Sequence, residues 1–89
     1  MMYPFLQLED GTEIVHSEMQ SDGQVKVYIE KPVEGGFHSA VCYLPGYNWE
    51  DVDGFSETEI NSYQQLIATV AHLIIRFSQN GGFEYAANL

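Results

Sequence analysis

Hydrophobic residues in the C-terminal part of the chain recur at the spacing of an amphipathic helix. The apolar positions follow one another at intervals of three and four residues, which places them on one helix face. They are Ile60, Tyr63, Ile67, Val70, Ile74 and Phe77, and the face is widened by Leu66 and Leu73. Ser56 and Glu59 form a capping box immediately before this segment. We therefore predict a helix over residues 57–80, stopped by Gly81.

The N-terminal half shows runs of extended-type residues divided by turn signals. Asp10-Gly11 and Asp22-Gly23 are Asp-Gly pairs, the strongest short-range indication of a hairpin, and Pro45-Gly46 marks a further turn. The predicted strands are residues 3–8, 12–20, 24–31 and 37–44. Residues 33–36 and 47–54 are predicted to be loops. The predicted fold is α+β, with an antiparallel four-stranded β-meander packed on one long C-terminal α-helix.

The faces of the second and third strands depend on the hairpin at Asp22-Gly23. A three-residue loop over 21–23, with Gly23 in the left-handed position, sets apolar residues opposite one another. This register pairs Met19 with Val25, Ser17 with Val27 and Val15 with Ile29 on a core face. The opposite face would then carry Ile14, His16 and Tyr28. Both faces of the fourth strand are largely apolar, which favours a strand covered on each side.

The predicted layers leave part of the molecule without cover. A helix of about 24 residues would be about 36 Å long, longer than the strands, so one end is expected to project or to meet a partner. One helix also covers only one sheet face, and aromatic residues on the other face are typical of an interface. The predicted interface residues are Ile14, His16, Tyr28, Phe37, Val41, Tyr43 and Trp49. The alternative is that the loop around Trp49 or the C-terminal tail folds over this face.

Length and charge narrow the classes of function. The chain has 89 residues, 45% of them hydrophobic, which suits one globular domain over residues 1–89. A net charge of −10 with only three basic residues disfavours direct binding to nucleic acid or to anionic membranes. The acidic surface fits a basic protein partner, a divalent cation or simple solubility. A cytoplasmic protein is expected, because Cys42 is the only cysteine and no signal peptide or membrane-spanning run occurs.

The acidic segment before the helix does not match a calcium-binding loop. Aligning Asp51 and Asp53 to the EF-hand pattern places Trp49 first and Ile60 last, where carboxylates are required. An irregular cation site in residues 48–59 stays open as an alternative to a solvated loop. No other cofactor or metal site is predicted.

Catalytic signatures are also missing from the sequence. The three histidines lack the short spacing of a metal site, and Cys42 has apolar neighbours typical of a buried, inert thiol. An enzymatic or small-ligand domain therefore has one candidate set, His16, Tyr28 and His38, whose side chains would have to converge in a concave pocket.

Two sets of segments resemble known families. The first set is Leu8-Glu9-Asp10-Gly11-Thr12-Glu13-Ile14-Val15-His16-Ser17, Tyr43-Leu44-Pro45 and Gly54-Phe55-Ser56-Glu57. In these segments the chain resembles small acidic proteins of gut Firmicutes, a domain of unknown function, and the resemblance spans most of the chain. The second set is Leu44-Pro45-Gly46 followed by Gly54-Phe55-Ser56-Glu57-Thr58-Glu59. It is similar to the Leu-Pro-Gly turn and acidic helix start of HicB-type antitoxins, which implies a small sheet-and-helix fold that neutralises a basic ribonuclease toxin.

Taken together, the sequence favours a non-enzymatic protein-interaction module. We expect a small bacterial accessory protein that acts as a homodimer or with a protein partner. One alternative is an antitoxin-like or nucleic-acid-mimicking acidic inhibitor of a basic protein. The other is the small-ligand or enzymatic pocket formed by His16, Tyr28 and His38.

Overall fold

A five-stranded antiparallel sheet and one C-terminal helix form the fold in a computed structural model that describes residues 1–79. The strands follow chain order across the sheet, so every connection is a hairpin. The elements are β1 (Met2–Gln7), β2 (Glu13–Ser17), β3 (Val25–Val33), β4 (Gly36–Leu44), β5 (Asn48–Asp53) and α1 (Glu57–Gln79). The α+β class, the antiparallel sheet and the single helix are as predicted. The strand number is not, because the sheet has five strands rather than four.

The additional strand is β5, which lies in the segment predicted to be a loop. The chain turns back after a cis Leu44-Pro45 bond, and Tyr47 adopts a left-handed conformation with a φ of 56°. Residues 48–53 then pair antiparallel with β4. Asp51 is also left-handed, with a φ of 53°, and the register shifts there. The irregular acidic sequence is therefore an edge strand with a bulge.

The β3–β4 hairpin is longer than predicted. Residues 33–36 were expected to form a loop, but Val33 and Gly36 pair as the last residues of the two strands. A two-residue turn at Glu34 and Gly35 is enough to reverse the chain, because Gly35 supplies a φ of 85°. Both strands consequently run for nine residues.

The first two hairpins close with the same three-residue turn. In the first, Leu8 donates its backbone N–H to Thr12 O at 2.8 Å, and in the second Gln20 donates to Gln24 O at 2.8 Å. The aspartate of each Asp-Gly pair accepts a hydrogen bond from the N–H two residues later, at 2.9 Å in both turns. The glycines have φ values of 90° and 84°. The predicted three-residue loop over 21–23 is therefore confirmed.

The register predicted from that loop is nevertheless wrong for β2. Ile14 lies opposite Ile29 and His16 opposite Val27, one residue away from the predicted pairing. The cause is an extra residue between Ser17 and Gln20, where the Met19 N–H leaves the hairpin and donates to Ser78 O of the helix at 3.2 Å. A shift of one residue exchanges the two faces of a strand. Ile14 and His16 therefore point to the helix, and Val15 and Ser17 point away from it.

The core lies between α1 and the sheet face that we call the inner face. Its buried apolar residues come from β2, β3 and β4, from Phe55 just before the helix, and from the helix itself. They are Ile14, Val25, Val27, Ile29, Ala40, Cys42, Leu44, Phe55, Ile67 and Ile74. The positions predicted for the core in β3, which are Val25, Val27 and Ile29, are confirmed. β1 joins the core through a bulge at Phe5, whose ring centroid lies 5.9 Å from that of Phe77.

The helix begins with the predicted capping box and is held along its length. Ser56 Oγ accepts the Glu59 N–H at 3.1 Å, and Glu59 Oε1 accepts the Ser56 N–H at 2.9 Å. The bond from the Ser56 N–H, with a smaller contribution from the Ser56 side chain, lowers the pKa of the Glu59 carboxyl. The expectation that one end of the helix projects or meets a partner stays a prediction. The predicted stop at Gly81 lies outside the described residues.

Candidate protein-interaction surface

The sheet face opposite the helix is called the outer face. Strand alternation places on it Met2, Pro4, Gln7, Glu13, Val15, Ser17, Lys26, Tyr28, Glu30, Pro32, Phe37, Ser39, Val41, Tyr43, Asn48, Glu50 and Asp53. Within residues 1–79 the single helix packs on the inner face. The outer face therefore has no second layer in the described part of the chain.

Three acidic side chains, those of Glu13, Glu30 and Asp53, lie in one row across the outer face. We call it the acidic row, and its members on successive strands from β1 to β5 are Gln7, Glu13, Glu30, Ser39 and Asp53. Glu13 is directly opposite Glu30, an arrangement that destabilises a sheet. Lys31, the cation next to Glu30, points to the inner face and pairs with Asp10, with 3.7 Å between Nζ and Oδ2. The acidic row thus places two acidic residues directly opposite each other on neighbouring strands.

The next row is mainly apolar and is called the central row. It consists of Pro4, Val15, Tyr28, Val41 and Glu50. Val41 is only 4% exposed although it faces away from the helix. Tyr28 donates its hydroxyl to Glu30 Oε2 at 3.0 Å. The pKa of Tyr28 is raised, mainly by partial burial and to a smaller extent by this hydrogen bond.

Two further features complete the outer face. At one end Lys26 lies opposite Tyr43, and the Lys26 N–H donates to Ser17 Oγ at 2.9 Å. At the other end Phe37 lies opposite Pro32 and is 60% exposed, near the tip of the β3–β4 hairpin. The acidic row separates Phe37 from the central row. A large apolar side chain with that exposure is typical of a contact surface.

A recess opens at the β1 bulge next to the acidic row. Its volume is about 330 Å³, and its walls include Pro4, Leu6 and Val15. Glu13 is the one charged residue in the lining. The bulge at Phe5 shifts the register between β1 and β2 at this point. An apolar recess with a carboxylate in its wall can accept a long side chain that ends in a cation.

The structure divides the predicted interface residues between the two faces. Tyr28, Phe37, Val41 and Tyr43 share the outer face. Ile14 and His16 were assigned to that face wrongly, since they are 1% and 0% exposed beneath the helix. Trp49 also lies on the inner side, where its Nε1–H donates to Gln64 Oε1 at 2.8 Å.

Several outer-face residues were not predicted. Val15 was expected on the core face, because the predicted β2 register differs by one residue from the observed one. The alignment of Glu13, Glu30 and Asp53 was not predicted, because cross-strand neighbours depend on three registers at once. The alternation of charged and apolar residues in β3 was the one signal that could have indicated this row.

The three residues proposed for an enzymatic pocket do not converge. Tyr28 is on the outer face, whereas His16 and His38 are on the inner face. His16 lies opposite Val27 and His38 opposite Lys31, which are four residues apart along β3, or about 13 Å. No single cavity can be lined by all three side chains.

His16 is a buried core residue. It is 0% exposed, its Nδ1 is 2.9 Å from Ser17 O, and its ring centroid is 5.7 Å from that of Tyr3 and 6.3 Å from that of Phe5. Nε2 is buried without a hydrogen-bond partner in the described residues. Burial lowers the pKa of His16, which keeps the imidazole neutral near pH 7.

The remaining candidates for chemistry are occupied by structural roles. Cys42 is buried, and burial raises the pKa of its thiol to about 11, so the nucleophilic thiolate is scarce at neutral pH. In the acidic segment 48–59, Glu59 is held in the capping box and residues 48–53 form β5. Among residues 1–79, no group of three or more histidine, cysteine or acidic residues is arranged to hold a metal ion.

The described part of the chain contains no helix that is both long enough and apolar enough to cross a membrane.

Comparisons with other proteins identify no family for this chain. The chain matches no family model, no curated protein and no solved structure.

Proposed function

We propose that this chain is a non-enzymatic protein-interaction module that docks on a partner protein through the outer face of its sheet. The observation that carries the proposal is that Phe37, 60% exposed, and the mainly apolar central row lie on the same side of the sheet, opposite the helix. Aromatic and apolar side chains of this kind, interspersed with polar groups, are typical of protein interfaces. The separation of His16, Tyr28 and His38 favours binding over catalysis.

The charge of the chain favours a different protein as the partner over a second copy. The chain carries a net charge of −10. Two outer faces brought together would place one acidic row near another, and like charges juxtaposed in a protein interface generally cost several kcal/mol. A partner with a basic surface would instead be attracted, and it would bind faster at low ionic strength.

Site-specific photo-crosslinking in the source cells tests this proposal. A benzophenone amino acid in place of Phe37 keeps an aromatic side chain at the most exposed apolar position of the outer face. The matched control carries the same amino acid in place of Gln65, which is exposed on the helix and faces away from the sheet. We expect one protein to be crosslinked from position 37 and not from position 65.

The outcomes are separable by mass and by position. A product of the chain plus a basic protein supports the proposal. A product of twice the mass of the chain assigns the outer face to a homodimer and overturns the choice of a different partner. Equal labelling from both positions, or no labelling from either, overturns the docking function of the outer face.

A second candidate function is inhibition of a basic protein, including the nuclease toxin that the HicB resemblance implies. The acidic row favours it, because opposed carboxylates can occupy a site that otherwise holds phosphates. The test is the activity of the crosslinked partner. Nuclease activity that falls when the chain is added, and returns with a Glu13→Gln, Glu30→Gln double variant, supports inhibition; an unaffected partner excludes it.

A further inference from the structure

We infer that the outer face binds an arginine side chain of the partner between Glu13 and Glu30, with the aliphatic part of that side chain in the recess at the β1 bulge. This inference rests on the proposed function, because it names the chemistry that the partner brings to the outer face. It follows from a like-charge pair, the shape of its surroundings and the hydrogen bond made by Tyr28.

Glu13 and Glu30 form a pair of like charges on the outer face. Glu13 and Glu30 are directly opposite on β2 and β3, where Cβ atoms lie about 4.5–5.5 Å apart. Their neighbours in the acidic row are neutral, Gln7 on one side and Ser39 on the other, and Asp53 adds a third carboxylate beyond Ser39. Lys26 is four residues from Glu30 along β3, or about 13 Å. A cation supplied by a partner would relieve this repulsion.

The recess suggests the path along which the side chain that carries the cation would lie. It lies on the β1 side of Glu13, and its walls are formed mainly by apolar residues such as Pro4, Leu6 and Val15. Arginine and lysine side chains bury their methylene groups along apolar surfaces and keep their charged ends at polar groups. A side chain in the recess would therefore bring its charge to Glu13 and to the neighbouring Glu30.

Arginine fits this arrangement better than lysine. A guanidinium group presents five N–H donors in one plane and can bridge two carboxylates at the same time, whereas an ammonium group acts as a point charge. Tyr28 adds a further preference. Its hydroxyl holds the Glu30 carboxylate at 3.0 Å, and its ring offers a face on which a guanidinium can stack.

Two short capped peptides test the inference on the full chain. One carries arginine residues separated by glycine and serine, and the other carries lysine at the same positions. Fluorescence anisotropy of the labelled peptides gives their Kd values at about 50 mM and about 500 mM NaCl, because screening separates charge-driven from other binding. The variants are Glu13→Gln and Tyr28→Leu. The matched control is Glu57→Gln, which removes the same charge from the start of the helix on the other side of the sheet.

We expect the arginine peptide to bind about threefold or more tightly than the lysine peptide, since the guanidinium adds a second carboxylate contact and stacking. Glu13→Gln should weaken arginine binding by about threefold or more, while Glu57→Gln should change it less than about twofold. Tyr28→Leu should reduce the preference for arginine over lysine. Circular dichroism of each variant checks that the fold is retained.

Different experimental results would overturn the arginine site and the proposed function. Equal Kd values for the two peptides, or equal losses in Glu13→Gln and Glu57→Gln, overturn the arginine site even when Phe37 still crosslinks a partner. Conversely, absence of selective crosslinking from position 37 overturns the proposed function whatever the peptides do.

Discussion

The two faces of the sheet are built from the same strands and differ in what they do with charge and burial. On the inner face β3 contributes Val25, Val27 and Ile29, each 0% exposed beneath the helix. On the outer face the same strand contributes Lys26, Tyr28 and Glu30, which are half-buried. The inner face is thus determined by apolar packing, and the outer face retains like charges that packing alone would not favour.

Under the proposed function, this difference separates stability from interaction within a small domain. Proteins commonly keep locally unfavourable arrangements where they bind or react, and the rest of the fold offsets the cost. The opposed Glu13 and Glu30 are such an arrangement on the outer face. Substitutions on the inner face should therefore change stability, and those on the outer face should change binding with little or favourable effect on stability.

The largest expected effect is on the inner face, at Ile29. Ile29→Ala removes a fully buried side chain from the core cluster that includes Ile67 and Ile74 and should lower the free energy of unfolding by about 2–5 kcal/mol. Urea denaturation followed by circular dichroism measures this. The matched variant is Val15→Ala on the outer face, which should cost about 1 kcal/mol or less because Val15 is only half-buried. Equal losses would contradict the assignment of the two faces.

The second effect is a pH dependence that originates on the inner face. The folded pKa of His16 is lowered from 6.5 by burial, so below that pH the unfolded chain takes up a proton that the folded chain does not. Stability is therefore fully present above about pH 6.5 and falls at lower pH, by at most about 1.4 kcal/mol per pH unit. Urea denaturation at about pH 7.5 and about pH 5.5 measures the slope. We expect His16→Leu to remove most of it and His72→Leu, at an exposed helix position, to retain it.

The third effect concerns the layer that covers the inner face. Ser56→Ala removes the hydroxyl that accepts the Glu59 N–H at 3.1 Å and should lower the free energy of unfolding by about 1 kcal/mol. Ser56→Asp retains a hydrogen-bond acceptor, so its free energy of unfolding should be close to that of the original chain. A Ser56→Ala chain as stable as the original would show that packing alone holds the helix start.

The smallest effect on stability should have the opposite sign and lies on the outer face. Glu13→Gln relieves the repulsion with Glu30, so it should raise the free energy of unfolding by about 0.2–1 kcal/mol. The gain should shrink in about 500 mM NaCl, because salt screens exposed charges. A loss of stability on neutralising Glu13 would mean that the acidic row contributes to the fold, and would remove the contrast between the faces.

The parts of the fold that depend on local sequence were predictable. The capping box at Ser56, the helical apolar spacing and the two Asp-Gly turns each involve residues within a few positions of one another. The β5 strand was not predictable, because it requires left-handed conformations at Tyr47 and Asp51, which residues other than glycine adopt rarely. Its pairing with β4 then outweighs the weak strand propensity of an acidic segment.

The face assignment of the candidate surface was predicted correctly for β3 and β4 but not for β2. Tyr28, Phe37, Val41 and Tyr43 were placed together correctly because β3 and β4 pair without irregularity over nine residues each. The β2 residues were placed on the wrong face because the extra residue after Ser17 depends on a contact with the helix, the Met19 N–H to Ser78 O bond. Such a contact links distant parts of the chain, and no local pattern reveals it.

The irregular edge strands have a consequence for how the chain behaves at high concentration. An edge strand normally presents unpaired backbone groups on which another molecule can add a strand, and fibres grow in this way. β1 carries Pro4, which has no N–H, and a bulge at Phe5, while β5 is broken by left-handed Asp51 and flanked by the carboxylates of Glu50 and Asp53. Strand-by-strand growth is therefore opposed at both edges, so the sheet can stay dispersed at high concentration.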